Sequence, residues 1–413
     1  MDETGLGLRS VSLDEGTSSV NLPRLCYIGE VPIECSQGGS ALLWRLFEGY
    51  PPKKLVIVEG IHRSSIERRL PSVRYVQHMI ISKRLTPGRY AKQVSELLYR
   101  AVPILAATLA PRVAYDRPEA IITVCHGIYW LVAAKVSKLL KLPLHLLVHD
   151  HVPTTLPASE RLRTRITYDF GRIYPTAASR FCVSETMALE YEQMFGINGQ
   201  TLYPSRARSV LNEPPRGVRH HVGLSGLTGV FAGTVGGYAN ALAALARQLA
   251  RVGGKLILYG SLSRAEAAPL GLDLSNVEFP GLVSAKALRE RCQKEADFLY
   301  VPMSFGESAR VNMRLSFPSK LADYTEMGLP LLIYGPKYCS AVQWARKHPG
   351  VAEVVDTEND EELLQAVKRL SDPRTCDTLA EEALRIGDLY FSHSRAESML
   401  FSALVSALAG SAA

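Results

Sequence analysis

Short, consecutive apolar runs alternate with longer amphipathic stretches along most of the 413-residue chain. Residues 25–28, 54–58, 120–125, 144–149 and 180–183 read as strands. Unbroken apolar runs bounded by turn residues suit strands covered on both faces. Residues 40–47, 90–109, 129–140 and 185–195 repeat their apolar positions with helical period. Strands interleaved with helices predict βαβ units and a parallel sheet.

The periodicity stops between 204 and 226, where Pro, Arg, His and Ser dominate, and this reads as a linker. The alternation then restarts. Strands are predicted at 229–232, 255–259, 277–279, 298–302, 330–334 and 352–355. Helices are predicted at 241–252, 285–294, 319–327 and 341–347, with mainly helix from 360 to 409. The division is a flexible tail 1–20, a first α/β domain 21–205, a linker 206–226, a second α/β domain 227–390 and a terminal segment 391–413.

Composition excludes several classes. Apolar residues make up 47% and charged residues 21% of the chain, which is ordinary for a globular protein rather than a disordered or coiled-coil one. The longest apolar runs, such as 101–110 with Pro103 inside, fall short of a membrane span. The polar, acidic start is unlike a signal peptide, so a cytoplasmic location is expected. Seven cysteines without a CxxC pair read as reduced, buried side chains.

The net charge of +7 is unevenly placed. Residues 61–92 carry eight bases against Glu67 alone, whereas 353–388 carry eleven acids against four bases. The basic stretch is either a plain solvated face or a surface for an anionic partner, with an anionic membrane as the candidate. It has no nucleic-acid motif, so no nucleic-acid partner is expected.

Candidate chemistry gathers where the predicted strands end. Gly38 and Gly39 stand between a strand and a helix, and Gly233-Thr234 with Gly236-Gly237 hold the equivalent place in the second half. Glycines there admit a ligand close to the backbone, and a helix start favours an anion. Two such loops suit a cleft closing on a diphosphate, although each alone could be a plain turn. His126 ends one strand, and His149-Asp150 end the next. His126 is read either as a ligand contact or as a satisfied interior histidine, and no third ligand accompanies His149 and His151 at metal spacing.

Residues 317–330, Phe-Pro-Ser-Lys-Leu-Ala-Asp-Tyr-Thr-Glu-Met-Gly-Leu-Pro, are the most specific segment. Proline opens a helix, Lys320 adds a cation near its start and Asp323 follows on the same face. Gly328 and Pro330 then end the helix before a buried strand.

This segment resembles the nucleotide-binding helix of retaining GT-B glycosyltransferases, especially glycosyltransferase family 4. The Gly38-Gly39 loop, His126, His149-Asp150, residues 182–185 and the 277–283 loop resemble that family in the same order. The resemblance covers about residues 22–390. It implies an α/β GT-B fold, with two Rossmann-like α/β/α domains facing each other across a cleft and a last helix packing back toward the first domain. It implies transfer of a sugar from a nucleotide-diphosphate sugar to an acceptor hydroxyl of a glycan, lipid or small molecule, with retention.

By resemblance, Gly38 and Gly39 face the diphosphate and acceptor, with Gly233 and Thr234 on the donor side. His126 contacts the donor sugar, Val283 reads the base and Asp323 holds the ribose. His149 and Asp150 are acceptor-side candidates. The chain departs from the family where an Arg and a Lys usually follow the second glycine loop. Thr234 follows Gly233, and no base appears before Arg247. Leu315 stands where the first acid of a Glu-x7-Glu pattern falls. Arg310, Arg314 and Lys320 are the substitutes inferred for the missing charge, Arg310 and Lys320 being assigned with His126 to catalysis. No metal or other cofactor is required. A catalytically silent relative and a sugar-nucleotide 2-epimerase are the alternatives, and peripheral attachment to the inner face of a membrane through 61–92 is expected.

Overall fold

The computed structural model describes residues 21–35, 38–61, 63–78, 88–208 and 226–411. The proposed tail 1–20, Gln37, Lys83, Arg84 and most of the proposed linker lie outside them.

The first sheet contains β1 (Leu25–Gly29), β2 (Leu55–Glu59), β3 (Arg74–Gln77), β4 (Ala120–Val124), β5 (Leu144–Val148), β6 (Ser179–Cys182) and β7 (Gln200–Thr201). Their order is β3-β2-β1-β4-β5-β6-β7, all parallel. Helices α1 (Gly38–Phe47), α2 (Ala91–Tyr115), α3 (Tyr129–Leu140), α4 (Glu160–Ile173) and α5 (Glu185–Phe195) make the crossovers. Strands β1, β4 and β5 are buried along their whole length, which is why they read as unbroken apolar runs.

The second sheet runs β10-β9-β8-β11-β12-β13, again parallel. Its strands are β8 (Thr228–Ala232), β9 (Lys255–Tyr259), β10 (Val277–Gly281), β11 (Phe298–Pro302), β12 (Leu331–Tyr334) and β13 (Glu353–Val355). Its helices are α6 (Ala239–Arg251), α7 (Arg264–Ala267), α8 (Ala285–Glu295), α9 (Arg310–Leu315), α10 (Lys320–Tyr324), α11 (Ser340–Lys347), α12 (Asp360–Arg369) and α13 (Pro373–Phe391). In both sheets the order of strand addition reverses beside the first strand, between β1 and β4 and between β8 and β11. Ligands of open α/β sheets bind at such reversals, beyond the strand carboxyl ends. The last helix, α14 (His393–Ser411), returns to the first domain, where Leu400 and Leu404 join the core under β1 and Phe401 meets Tyr50 edge-on at 5.4 Å.

The short elements β7, α7 and α9 were not read from the sequence, and three further elements differ from that reading. Strand β3 lies inside the basic stretch, as a half-buried edge strand of four residues, too short to show a period. Helix α4, capped by Ser159 accepting from the Leu162 amide at 3.1 Å, carries too many polar residues to show an apolar run. Helix α2 extends to Tyr115 through Pro103 and Pro111, and its length and composition would suffice to cross a membrane. It packs on α3, burying Leu98, Val102, Leu105, Ala106, Leu109 and Val113.

The basic stretch is also not one solvated face. Arg69 pairs with the buried Glu59 at 2.9 Å and lies over the Tyr75 ring, and Arg74 pairs with Asp116 at 3.2 Å. These two charges neutralise acids of the domain itself.

Candidate functional site

A cleft of about 460 Å³ opens between the carboxyl ends of the two sheets. The first domain contributes Gly38, Ala41, Leu42 and Arg45, which fall on one face of α1, together with Asp150 just beyond β5. The second domain contributes Gly233, Thr234, Tyr238, Val283, Ser316, Lys320 and Asp323. The cleft thus brings together Gly38, Asp150, Gly233, Thr234, Val283, Lys320 and Asp323 of the sequence candidates. Gly39, His126, His149 and Arg310 stand outside its lining.

Lys320 is the centre of the second wall. Its Nζ lies 3.8 Å from the Phe231 ring centroid and 5.2 Å from that of Tyr238. It has no acidic partner among the described residues, and burial pushes its pKa down from 10.5 to about 7. Two ring faces compensate part of the lost hydration of the ammonium. Gly233, at φ 141°, leaves open the space above it, since a Cβ there would stand 3.3 Å from Lys320 Nζ. Helix α6 starts close by, with no side chain capping its first amides. A buried amine, an open backbone loop and a helix start without a side-chain cap form a receptor for a phosphorylated anion.

Tyr324 fixes α10 against this loop, because its hydroxyl accepts a hydrogen bond from the Ala232 amide at 2.7 Å. Asp323 is held from the other domain. Arg45 Nη1 meets its Oδ1 at 2.6 Å and also donates to the Ser205 carbonyl at 2.9 Å. Asp150 likewise bridges the cleft by accepting from Ser316 Oγ at 2.9 Å. Beside it, Thr154 Oγ1 donates to Asn312 Oδ1 at 3.0 Å.

His126 ends β4, half-buried and close enough to His149 to affect its charge. Burial pushes the His149 pKa down, Asp150 opposes that shift and His126 adds to it. Neither histidine lines the cleft. The turn after His126 is built on Gly127, at φ 64°, and on Glu30 at the end of β1. The Glu30 carboxylate accepts from the amides of Ile128 and Tyr129 at 2.5 and 3.1 Å, and burial pushes its pKa up to about 7.

The sequence reading is corrected for the substitute cations. Arg310 is exposed, paired with Glu307 at 3.3 Å and stacked over Tyr338 at 4.6 Å. Arg314 makes two 2.6 Å bonds to Glu190 and so ties α9 to α5. Glu307 and Tyr338 hold Arg310 at the exposed surface, and an acid from the other domain captures Arg314. Of the three, Lys320 alone faces the cleft. Arg45, Ser316, Tyr238 and Glu30 were missed. Arg45 follows Gly38 by two helical turns, and Ser316 directly precedes the 317–330 segment, so both carried a positional signal. Glu30 and Tyr238 carried none.

No protein-family model matches the sequence, and no curated protein matches it. Solved structures do match. HepE (Alr3699) from Anabaena, solved with UDP and glucose, is 14% identical, with TM-score 0.65 over 92% of this chain and 99% of that one. The chain has the GT-B fold. The α,α-trehalose 6-phosphate synthase from Burkholderia multivorans is also 14% identical, with TM-score 0.62 over 95% of this chain and 98% of that one. WaaG, a glycosyltransferase involved in lipopolysaccharide biosynthesis, is 15% identical, with TM-score 0.56 over 91% and 98%. At these identities the likeness establishes the arrangement of the two domains.

Proposed function

We propose that this protein is a glycosyltransferase that moves a sugar from a nucleoside-diphosphate sugar to an acceptor hydroxyl, with retention. The observation that carries the reading is Lys320, a buried amine with no acidic partner among the described residues, between the Gly233 loop and Asp323. In this reading the diphosphate lies over Gly233, facing Lys320 and the first amides of α6. Asp323 accepts from the ribose hydroxyls, and the backbone near Val283 meets the base. Negative charge grows on the leaving diphosphate, and donors fixed in place stabilise it without reorganising. The departing phosphate takes the acceptor proton, so no metal or protein nucleophile is required. Asp150 and Ser316 bound the side where the acceptor enters. HepE, a structural neighbour, was solved with UDP-glucose, which supports a uridine donor.

A glycan, lipid or small molecule serves as acceptor, and the protein works in the cytoplasm. The test is a thermal-shift panel of UDP, GDP, ADP and TDP, followed by mass spectrometry of UDP-sugars incubated with the protein. A ligand at about 100 times its Kd stabilises by roughly 2.7 kcal/mol. Stabilisation by one diphosphate, with release of it from the matching sugar nucleotide, is expected. Absence of stabilisation by all four overturns the reading. Acceptor-free interconversion of the sugar nucleotide replaces transfer with epimerisation.

A further inference from the structure

A second cavity, of about 820 Å³, lies on the outer face of the first domain, where α2 and α4 flank α3. It reaches Leu144 at the amino end of β5, whereas the nucleotide cleft lies beyond the carboxyl ends, at Asp150. The two sites therefore occupy opposite ends of the sheet. Its floor is apolar, formed by Val102, Leu131, Leu142, Leu144 and Ile173. Pro103 sits in the α2 wall and has no N–H to give the Tyr99 carbonyl, which interrupts the helix ladder beside the groove.

The rim is basic. Arg100, Lys135, Lys138 and Arg172 surround the opening, against the single acid Asp169, which the Tyr99 hydroxyl holds at 2.7 Å. Arg100, Lys135 and Lys138 have no ion-pair partner among the described residues. Next to these cations stand large apolar side chains that face water. Leu97 is 68% exposed, Ile104 67%, Leu139 58% and Tyr168 65%. Leu97, Arg100 and Ile104 share one side of α2, and the Arg172 guanidinium lies 5.7 Å over the Tyr168 ring. Exposed apolar residues interleaved with unpaired cations around an apolar groove do not match water or a polar solute. They match a surface that is anionic outside and hydrocarbon within.

We propose that this face docks on an anionic lipid bilayer, with headgroup phosphates against Arg100, Lys135, Lys138 and Arg172 and an acyl chain entering the groove. Leu97 and Ile104 then lie at the boundary of headgroups and chains. The docking surface is α2–α3–α4, not the 61–92 stretch, two of whose arginines serve internal acids. The proposal does not rest on the glycosyltransferase reading, because the cleft takes no part in it.

The test is flotation of the full chain with vesicles of phosphatidylcholine alone and of phosphatidylcholine with phosphatidylglycerol in equal parts, at low and high salt. Binding to the anionic vesicles, weakened by salt, is expected. Each basic residue near such a surface adds about 1 kcal/mol, or about fivefold in partitioning. Lys135→Ala with Lys138→Ala should therefore lower partitioning about 25-fold, and Leu97→Ser with Ile104→Ser should also weaken it. Arg63→Ala with Arg68→Ala should leave it unchanged. All these positions are exposed, and thermal midpoints check that the variants fold. Equal recovery with neutral vesicles, parental binding by both groove variants, or loss only in the Arg63/Arg68 variant overturns the proposal. So does binding of monomeric dodecyl phosphate without any binding of vesicles.

Discussion

Arg45 on α1 and Asp323 on α10 meet across the cleft at 2.6 Å, so the side chain read as the ribose acceptor is oriented by the opposite domain. Asp323→Asn should weaken UDP and uridine alike, by about 10- to 150-fold, the range for hydrogen bonds to a charged group. Because the loss applies equally to ground and transition states, kcat should change little. Arg45→Met should cost less, and the double variant should cost no more than Asp323→Asn alone, since Arg45 acts through Asp323. Calorimetric titration of the three variants checks this, and additive losses would show that the two residues act separately.

A second prediction concerns the packing of α13 on the segment entering the second domain. Gly387 sits inside α13, where alanine ordinarily stabilises a helix by about 1 kcal/mol. A Cβ here would stand 1.9 Å from Arg206 Nη2 and 2.5 Å from Thr325 Oγ1. Arg206 cannot swing away cheaply, because it is buried, pairs with Asp388 and donates to the Thr325 carbonyl at 2.8 Å. Overpacking of this kind costs about 1–3 kcal/mol. Gly387→Ala should therefore lower the thermal midpoint, and a raised midpoint would mean that the Arg206 network is loose.

The alternation of apolar runs and helical stretches was enough to read two parallel sheets, because β1, β4, β5 and β11 are buried on both faces and show it in composition. Elements with mixed surfaces were not legible. Strand β3 is only four residues long and opens on the exposed Arg74, and helix α4 intersperses six charged residues among its apolar ones, so neither leaves an apolar run. Within the site, the glycines and the 317–330 segment were visible because backbone conformation and helix ends demand particular residues. Arg310 was misplaced because sequence distance along α9 says nothing of which way a side chain turns. Arg45 was overlooked because its partner lies 278 residues away.

Glu30 supplies a pH-dependent prediction. Burial raises its pKa from 4.5 to about 7, against the two amides that favour the anion, so desolvation outweighs the helix start. A folded pKa above the unfolded one means that the native protein holds more protons between these values. The stabilisation is complete below about 4.5 and is lost as pH rises through 7. Glu30→Gln keeps the acceptor oxygen without the ionisation. Its stability should match the parent near pH 4.5 and exceed it above pH 7 by up to roughly 3 kcal/mol, read as a higher thermal midpoint. Equal midpoints at all pH values would place the carboxylate in contact with water.

Lys320 makes the opposite linkage and ties it to function. Its pKa falls from 10.5 unfolded to about 7 folded, so the unfolded chain binds the extra proton between these values. Stability contributed at high pH is lost as pH falls toward 7, and Lys320→Met should raise the midpoint most below pH 7. A bound diphosphate reverses the balance, because two phosphate charges beside the amine favour its protonated form. Nucleotide binding should then take up a proton above pH 7, and affinity should fall up to tenfold per pH unit from there until the pKa of the complex is reached. Titrating UDP in buffers of different ionisation enthalpy measures that uptake directly. Uridine, which has no phosphate, should show none, and Lys320→Met should abolish it for UDP while leaving uridine affinity near the parental value. Identical proton uptake in the parent and in Lys320→Met would remove Lys320 from the diphosphate site, and the Gly233 loop would then need another cation to offset the charge.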